Sequence, residues 1–163
     1  MSRTVTLRLT ATGAGLLAVV SVARADAPPG QYANFNRNDI TILDDWTQLR
    51  WERVAIYQAS SFDDAAAHCA GLTLDGLSGW RVPSYKELLT LVDESPHTEY
   101  PTGAPVTIAI DGNAFPGTRY DLPYWTSSPF LKSPGDAYVV RFSDGIADHA
   151  PMLSANYYVR CVH

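Results

Sequence analysis

Four histidines, His68, His97, His149 and His163, are the side chains most able to bind a metal or move a proton. No two of them stand at a metal-ligand spacing, so a histidine metal centre is not expected. A Ser-His-Asp triad can be composed from Ser127 or Ser128, His149 and one of several aspartates. No Gly-x-Ser-x-Gly elbow supports it, and Thr126-Ser127-Ser128 reads as hydrogen-bonded turn chemistry. Asp111 and Asn113 could hold a cation through their oxygens, although an Asx-turn is the simpler reading. His68 is expected as an exposed helix residue. The residues alone thus point to no catalytic group, no cofactor and no metal.

Cys69 and Cys161 are the two remaining reactive groups, and their meaning depends on the compartment. Arg3 and Arg8 precede an apolar run over residues 14–22, and Ala23-Arg24-Ala25 has the small-x-small form of a signal-peptidase site. The run is shorter than the ~20 residues a membrane span needs. Residues 1–25 are therefore expected as a cleaved export signal, and the protein as periplasmic, on the outer surface or secreted. An even pair of cysteines in an oxidising compartment most simply forms one disulfide. A metal or catalytic cysteine is the alternative, but neither residue has a Cys-x-x-Cys or His-x-x-x-His partner nearby. A bridge closing so long a loop is expected to stabilise by about 4–5 kcal/mol.

Export also changes the charge. Loss of residues 1–25 removes three arginines and no acid, so 12 bases against 17 acids become 9 against 17, and the net charge moves from −5 to −8. Such a surface repels polyanions, which argues against nucleic acid as a partner.

The elements that would carry these residues follow from local signals. After a flexible leader over residues 26–39, residues 40–43 and 49–57 read as strands. In SSFDDAAAHCAGL, Ser60 or Ser61 can cap a helix, Asp63 and Asp64 suit its first turn, and Gly71 can end it. Phe62, Ala65, Ala66 and Cys69 then share its inner face. In GWRVPSYKELLTLVD, Pro83 keeps Val82 extended. Ser84 and Glu87 have capping-box spacing, and Leu88, Leu89, Leu91 and Val92 form a short apolar stripe.

Residues 94–123 carry five prolines, at 96, 101, 105, 116 and 123, and read as a long irregular segment, functional or packed by its own side chains. Strands return at residues 124–128 and 137–143, the latter with Tyr138, Val140 and Phe142 on one face. Asp144-Gly145 signals a hairpin into residues 146–150. Residues 156–162 close the chain with Tyr157, Val159 and Cys161 on a shared face. Two helices followed by a strand-rich end indicate an α+β domain over residues 40–163.

The ordered set Cys-x-Gly-Leu-x-Leu-x-Gly, Trp-Arg-Val-Pro-Ser-x-x-Glu-Leu, Ile-Asp-Gly-Asn-Ala-Phe-Pro, Tyr-Trp-Thr-Ser-Ser, Val-Val-Arg-Phe-Ser-Asp-Gly and Val-Arg-Cys-Val resembles the bacterial Lcl C-terminal domain family. That family is named for a collagen-like adhesin. An early Thr-Gly-Leu-x-Trp element usual in such domains is altered here to DDWTQLRW. The resemblance implies a C-type lectin-like fold, with two helices packed on a small, mostly antiparallel sheet and long loops. The fold class includes the formylglycine-generating enzyme, whose Arg-Leu-Pro-Thr-x-x-Glu segment is similar to RVPSYKE. Its oxidase chemistry needs cysteine-bound copper, and here both cysteines are expected in the bridge. The Glu-Pro-Asn or Gln-Pro-Asp and Trp-Asn-Asp motifs of calcium lectins do not occur.

In such a fold, Trp80 and Trp125 are expected in the core, with Pro83 and Glu87 as scaffold. Arg81 is expected to be held by a buried carboxylate or by loop carbonyls. Ligand contact in related binding proteins concentrates on the C-terminal strands and loops. The resemblance therefore implies Tyr124, Arg141, Asp144, Asp148, His149, Asn156 and Tyr158 as ligand-binding residues. The expected function is non-enzymatic recognition of a cell-surface protein or glycan. The adhesin resemblance suggests sulfated glycans, against which the acidic charge argues. A hydrolase or transferase using a polar C-terminal groove, and a structural envelope protein, are the alternatives.

Overall fold

The computed structural model describes residues 27–94, 96–99, 105–153 and 155–163; the expected export signal lies outside them. In chain order the elements are β1 (Thr41–Leu43), β2 (Arg50–Glu52), β3 (Gln58–Ala59), α1 (Phe62–Gly71), α2 (Tyr85–Leu89), β4 (His97–Glu99), β5 (Val106–Ile108), β6 (Tyr124–Pro129), β7 (Asp136–Val140), β8 (Ala147–Pro151) and β9 (Tyr157–Tyr158). Five strands form one sheet in the order β3-β9-β6-β7-β8, antiparallel throughout except between β6 and β9. Two-stranded ladders β1-β2 and β4-β5 flank it. This is an α+β domain, and it fits a C-type lectin-like fold.

The sheet has a helix-side core on each face, and strand alternation builds both. Tyr124, Val140 and Tyr158 pack with Leu88 and Leu91 from the α2 region and with Phe115 and Phe142. Their strand neighbours Trp125, Val139 and Val159 pack instead with Ala65 and Cys69 of α1 and with Trp80. The expectation of one buried face on residues 137–143 was therefore too simple. Ala137 and Val139 are as deeply buried as Val140, because a sheet covered on both sides buries both.

Each helix starts as its residues suggest. Ser61 accepts the Asp64 amide at 3.2 Å and begins α1. At α2, Ser84 accepts the Glu87 amide at 3.3 Å and the Glu87 carboxylate accepts the Ser84 amide at 2.7 Å. The Ser128 hydroxyl, from β6, accepts a further orphan donor, the Tyr85 amide, at 3.0 Å. At the far end of α1, Gly71 is the last helical residue and extended Leu72 is the cap.

The expected strand over residues 49–57 is interrupted after Glu52. Arg53 turns inward there, and its guanidinium donates to the carbonyls of Arg37, Asp39, Asn113 and Ala114 at 2.8–3.2 Å. The chain bends and resumes as β3 in the larger sheet. Thr41 pairs with Glu52 and Ile42 with Trp51, which sets the register of the first ladder. Residues 27–39, expected as a flexible leader, lie against the domain. Gln31 is buried and donates to Asp44 at 3.0 Å, and Tyr32 meets Phe115 edge-on at 5.1 Å. Part of the long segment expected as irregular joins the main core, where Ile108, Ile110, Ala114 and Phe115 are buried with Trp51, Leu88 and Tyr124.

Cys69 and Cys161 are bonded, with an S–S distance of 2.03 Å and a Cα–Cα distance of 5.5 Å. The bridge fits an oxidising, exported location. No helix among the described residues is long and apolar enough to cross a membrane.

The Trp80-Arg81 pair is arranged differently from the expectation. Trp80 and Val82 point into the core, and the Trp80 indole donates to the Leu77 carbonyl at 2.8 Å. Alternation then turns Arg81 outward. Its guanidinium forks onto Glu87 at 2.6 and 2.8 Å, at the surface and not with a buried carboxylate, while its backbone pairs with Val162. The buried arginines are Arg53 and Arg160. Arg160 is fully buried, donates to the Glu52 and Arg53 carbonyls and to Thr118 at 2.7–2.9 Å, and lies 4.7 Å over the Phe115 ring.

Arg81 and the two Ser84 hydrogen bonds lower the Glu87 pKa to about 2. A folded pKa below the unfolded one adds stability that is fully present above the ordinary carboxylate range and lost as pH falls from there through the folded pKa. Thermal melts of wild type and Glu87→Gln should therefore differ near pH 6 by less than about 1 kcal/mol, as for an exposed ion pair. The difference should close as pH approaches about 2.

Candidate functional site

The turn between β7 and β8 gathers most of the expected ligand-binding residues. The Arg141 amide donates to the Ile146 carbonyl at 3.0 Å and closes the turn. Gly145 has φ +70°, and a Cβ there would fall 2.7 Å from Val92, so glycine is required twice over. Asp144 accepts the Ile146 amide at 3.1 Å and receives the Arg141 guanidinium at 2.5–3.0 Å. The guanidinium holds the Asp144 carboxyl below the usual range, and Asp144 in turn raises Arg141. Both stay charged at neutral pH, fixed against each other at the surface.

His149 sits on β8 opposite Tyr138. Its Nδ1 lies 2.8 Å from an Asp136 carboxylate oxygen, and its ring stacks on Phe130 at 3.9 Å. Asp148 accepts the His149 amide at 2.8 Å. Two contacts on the imidazole leave its orientation little freedom.

These side chains line a depression of about 260 Å³, in which Arg141, Asp148 and His149 meet Asp121, Leu122, Ile146 and Tyr157. A wider open groove of about 960 Å³ lies beside it and shares Asp121. Asp144, Ser143, Arg119, Thr107 and Ile56 belong to that groove. The charges alternate in sign: Arg119 reaches Asp121 at 3.5 Å, and Arg141 pairs with Asp144.

Three of the seven expected residues lie elsewhere. Tyr124 is in the core, where its phenol accepts the Arg119 amide at 2.8 Å and donates to the Ala55 carbonyl at 3.4 Å. Tyr158 is only 6% exposed, because β9 turns it to the inner face and leaves its neighbour Tyr157 at the depression. Asn156 is exposed but lines neither hollow; its carbonyl accepts the Gln58 amide group at 3.4 Å. Asp121 was not singled out from the sequence. Its only signal was its place in a long loop.

The paper triad does not assemble. Strand β7 lies between β6, which carries Ser127 and Ser128, and β8, which carries His149. Two inter-strand spacings, about 9.5 Å, separate those backbones. Thr126 donates to the Tyr138 carbonyl at 2.8 Å, and the Ser128 hydroxyl is occupied by the Tyr85 amide. Asp111 forms an Asx-turn, with one carboxylate oxygen accepting the Asn113 and Ala114 amides at 2.8 and 3.0 Å.

A second group of polar side chains lies beside the disulfide. Buried Glu52 accepts the Cys161 amide at 3.1 Å, and burial raises its pKa. His68, expected to be exposed, is half-buried because Tyr57 stacks on it at 3.9 Å, and burial lowers its pKa.

Comparison with curated proteins gave no match. The model of the Lcl C-terminal domain family matches residues 40–163, which span every strand and both helices described above, and the chain belongs to that family.

Proposed function

We propose that this protein is an exported, non-enzymatic binding domain that recognises a cell-surface protein or glycan, as adhesins do. The observation that carries the reading is the paired hollow at the β7-β8 turn. There Arg141, Asp144 and His149 are held by one another, Asp136 and Phe130 beside exposed Ile146 and partly exposed Tyr157. Preset donors and acceptors next to apolar and aromatic surface suit hydrogen-bonded recognition. Charges of both signs favour neutral ligands over sulfated polyanions, as does the net −8 of the chain without residues 1–25.

The test is an array of neutral and sulfated oligosaccharides and purified bacterial surface proteins, probed with wild type and with Arg141→Ala/His149→Ala. Binding to a neutral probe should fall at least about tenfold in the double variant, as for a loss of 1.4 kcal/mol or more, at unchanged melting temperature. Equal binding by both proteins would place the site elsewhere.

The second reading, a hydrolase, rests on the Asp136–His149 hydrogen bond, the base-and-orienter half of a catalytic arrangement. Turnover of ester or glycoside substrates that His149→Ala abolishes would favour it over binding.

A further inference from the structure

We infer that reduction of the Cys69–Cys161 bridge creates a four-ligand site for a zinc-like divalent cation, formed by the two thiolates with His68 and Glu52. The argument begins from position. The Cys161 sulfur, an imidazole nitrogen of His68 and a carboxylate oxygen of Glu52 lie within 4.8 Å of one another. The Cys69 sulfur is bonded to that of Cys161. Ligand atoms around a tetrahedral zinc, at bond lengths of about 2.0–2.3 Å, stand about 3.3–3.8 Å apart. Contraction by about 1 Å would bring these three atoms to ligand separations, and the Cys69 sulfur, released beside that of Cys161, would be the fourth donor.

The donor types are those of zinc sites: two soft sulfurs, one imidazole and one carboxylate. An independent observation also points to a ligand. His68 Nε2 is shielded from solvent and has no hydrogen-bond partner. Burying such a group without a partner is unfavourable, and a cation would supply the missing one. The four residues come from β2, α1 and the segment after β9, so an ion would clamp the same elements as the disulfide.

In the oxidised protein the sulfurs are committed to each other, and the site is closed, because the thiolate is the metal ligand. A dithiol opens it by exchange. One of its thiolates attacks a bridge sulfur to form a mixed disulfide, and its second thiol releases the protein sulfur. The reagent leaves as a cyclic disulfide, and the protein gains two electrons and two protons. Cation binding then displaces the two thiol protons. Reoxidation by a disulfide reagent reverses the electron flow and expels the ion. Metal occupancy would thus report the redox state of the compartment.

The test uses the chain without residues 1–25, reduced by a phosphine, which takes oxygen from water and leaves as its oxide. Anaerobic titration with cobalt(II) should give one equivalent of binding, with tetrahedral d–d bands and sulfur-to-metal charge transfer. Zinc should displace the cobalt, and oxidised protein should show no such bands. His68→Ala and Glu52→Gln should each weaken binding by about tenfold or more, and His163→Ala should not. Should reduction loosen the fold, zinc should restore its near-ultraviolet circular dichroism. Absence of stoichiometric binding by the reduced chain would overturn the inference. So would binding unaffected by both ligand substitutions, because the thiols alone would then be holding the ion.

Discussion

Replacing Cys69 and Cys161 together by alanine should lower the unfolding free energy by about 4–5 kcal/mol, measured by urea denaturation under oxidising conditions. The bridge spans 92 residues, so its absence returns a large loop-closure entropy to the unfolded chain. It also joins α1 to the segment after β9, at a place where both sulfurs are fully buried. Against a total stability of about 5–15 kcal/mol, the variant would be marginal at best. A loss under about 1 kcal/mol would mean that the two cores hold these elements together without the bridge.

Trp80→Ala should cost about 3–5 kcal/mol, the range for emptying a buried aromatic site. The indole is 2% exposed, packs in the core shared by α1 and the sheet, and donates to the Leu77 carbonyl. Arg81→Ala, one residue on, should cost no more than about 1 kcal/mol, because it removes a surface ion pair and leaves the backbone pairing with Val162 intact. Thermal melts of the two variants separate the roles. Equal losses would contradict the in-and-out alternation at this segment.

Where the chain's signals are local, they were legible in the sequence. Ser84 and Glu87 stand three apart and form the capping box, and Asp144-Gly145 forms the hairpin turn; the bridge, 92 residues long, was legible only because the chain holds just two cysteines. Signals that depend on distant partners were not. Nothing near Arg53 or Arg160 announces that carbonyls from residues 37 to 114 will receive their guanidinium groups. His68 adjoins Cys69 in sequence, but only folding brings Glu52 and Cys161 to the same place.

The candidate site divides along the same line. Arg141, Asp144, Asp148 and His149, named through the resemblance, lie on one hairpin, and so they share the two neighbouring hollows. Tyr124 and Tyr158 were misplaced because a sheet covered on both faces buries both phases of the alternation, leaving the sequence no polar stripe to mark the outside. Asp121 completes the hollow from a loop whose path no local pattern dictates.

The most direct test of recognition at the β7-β8 turn is a backbone amide spectrum of labelled protein. It would be titrated with the tightest neutral probe from the array. Perturbations should cluster at residues 121–122, 141–149 and 157, with residues 79–87 unmoved. Perturbations centred on residues 79–87 would contradict the account and make the Trp80-Arg81 segment the site.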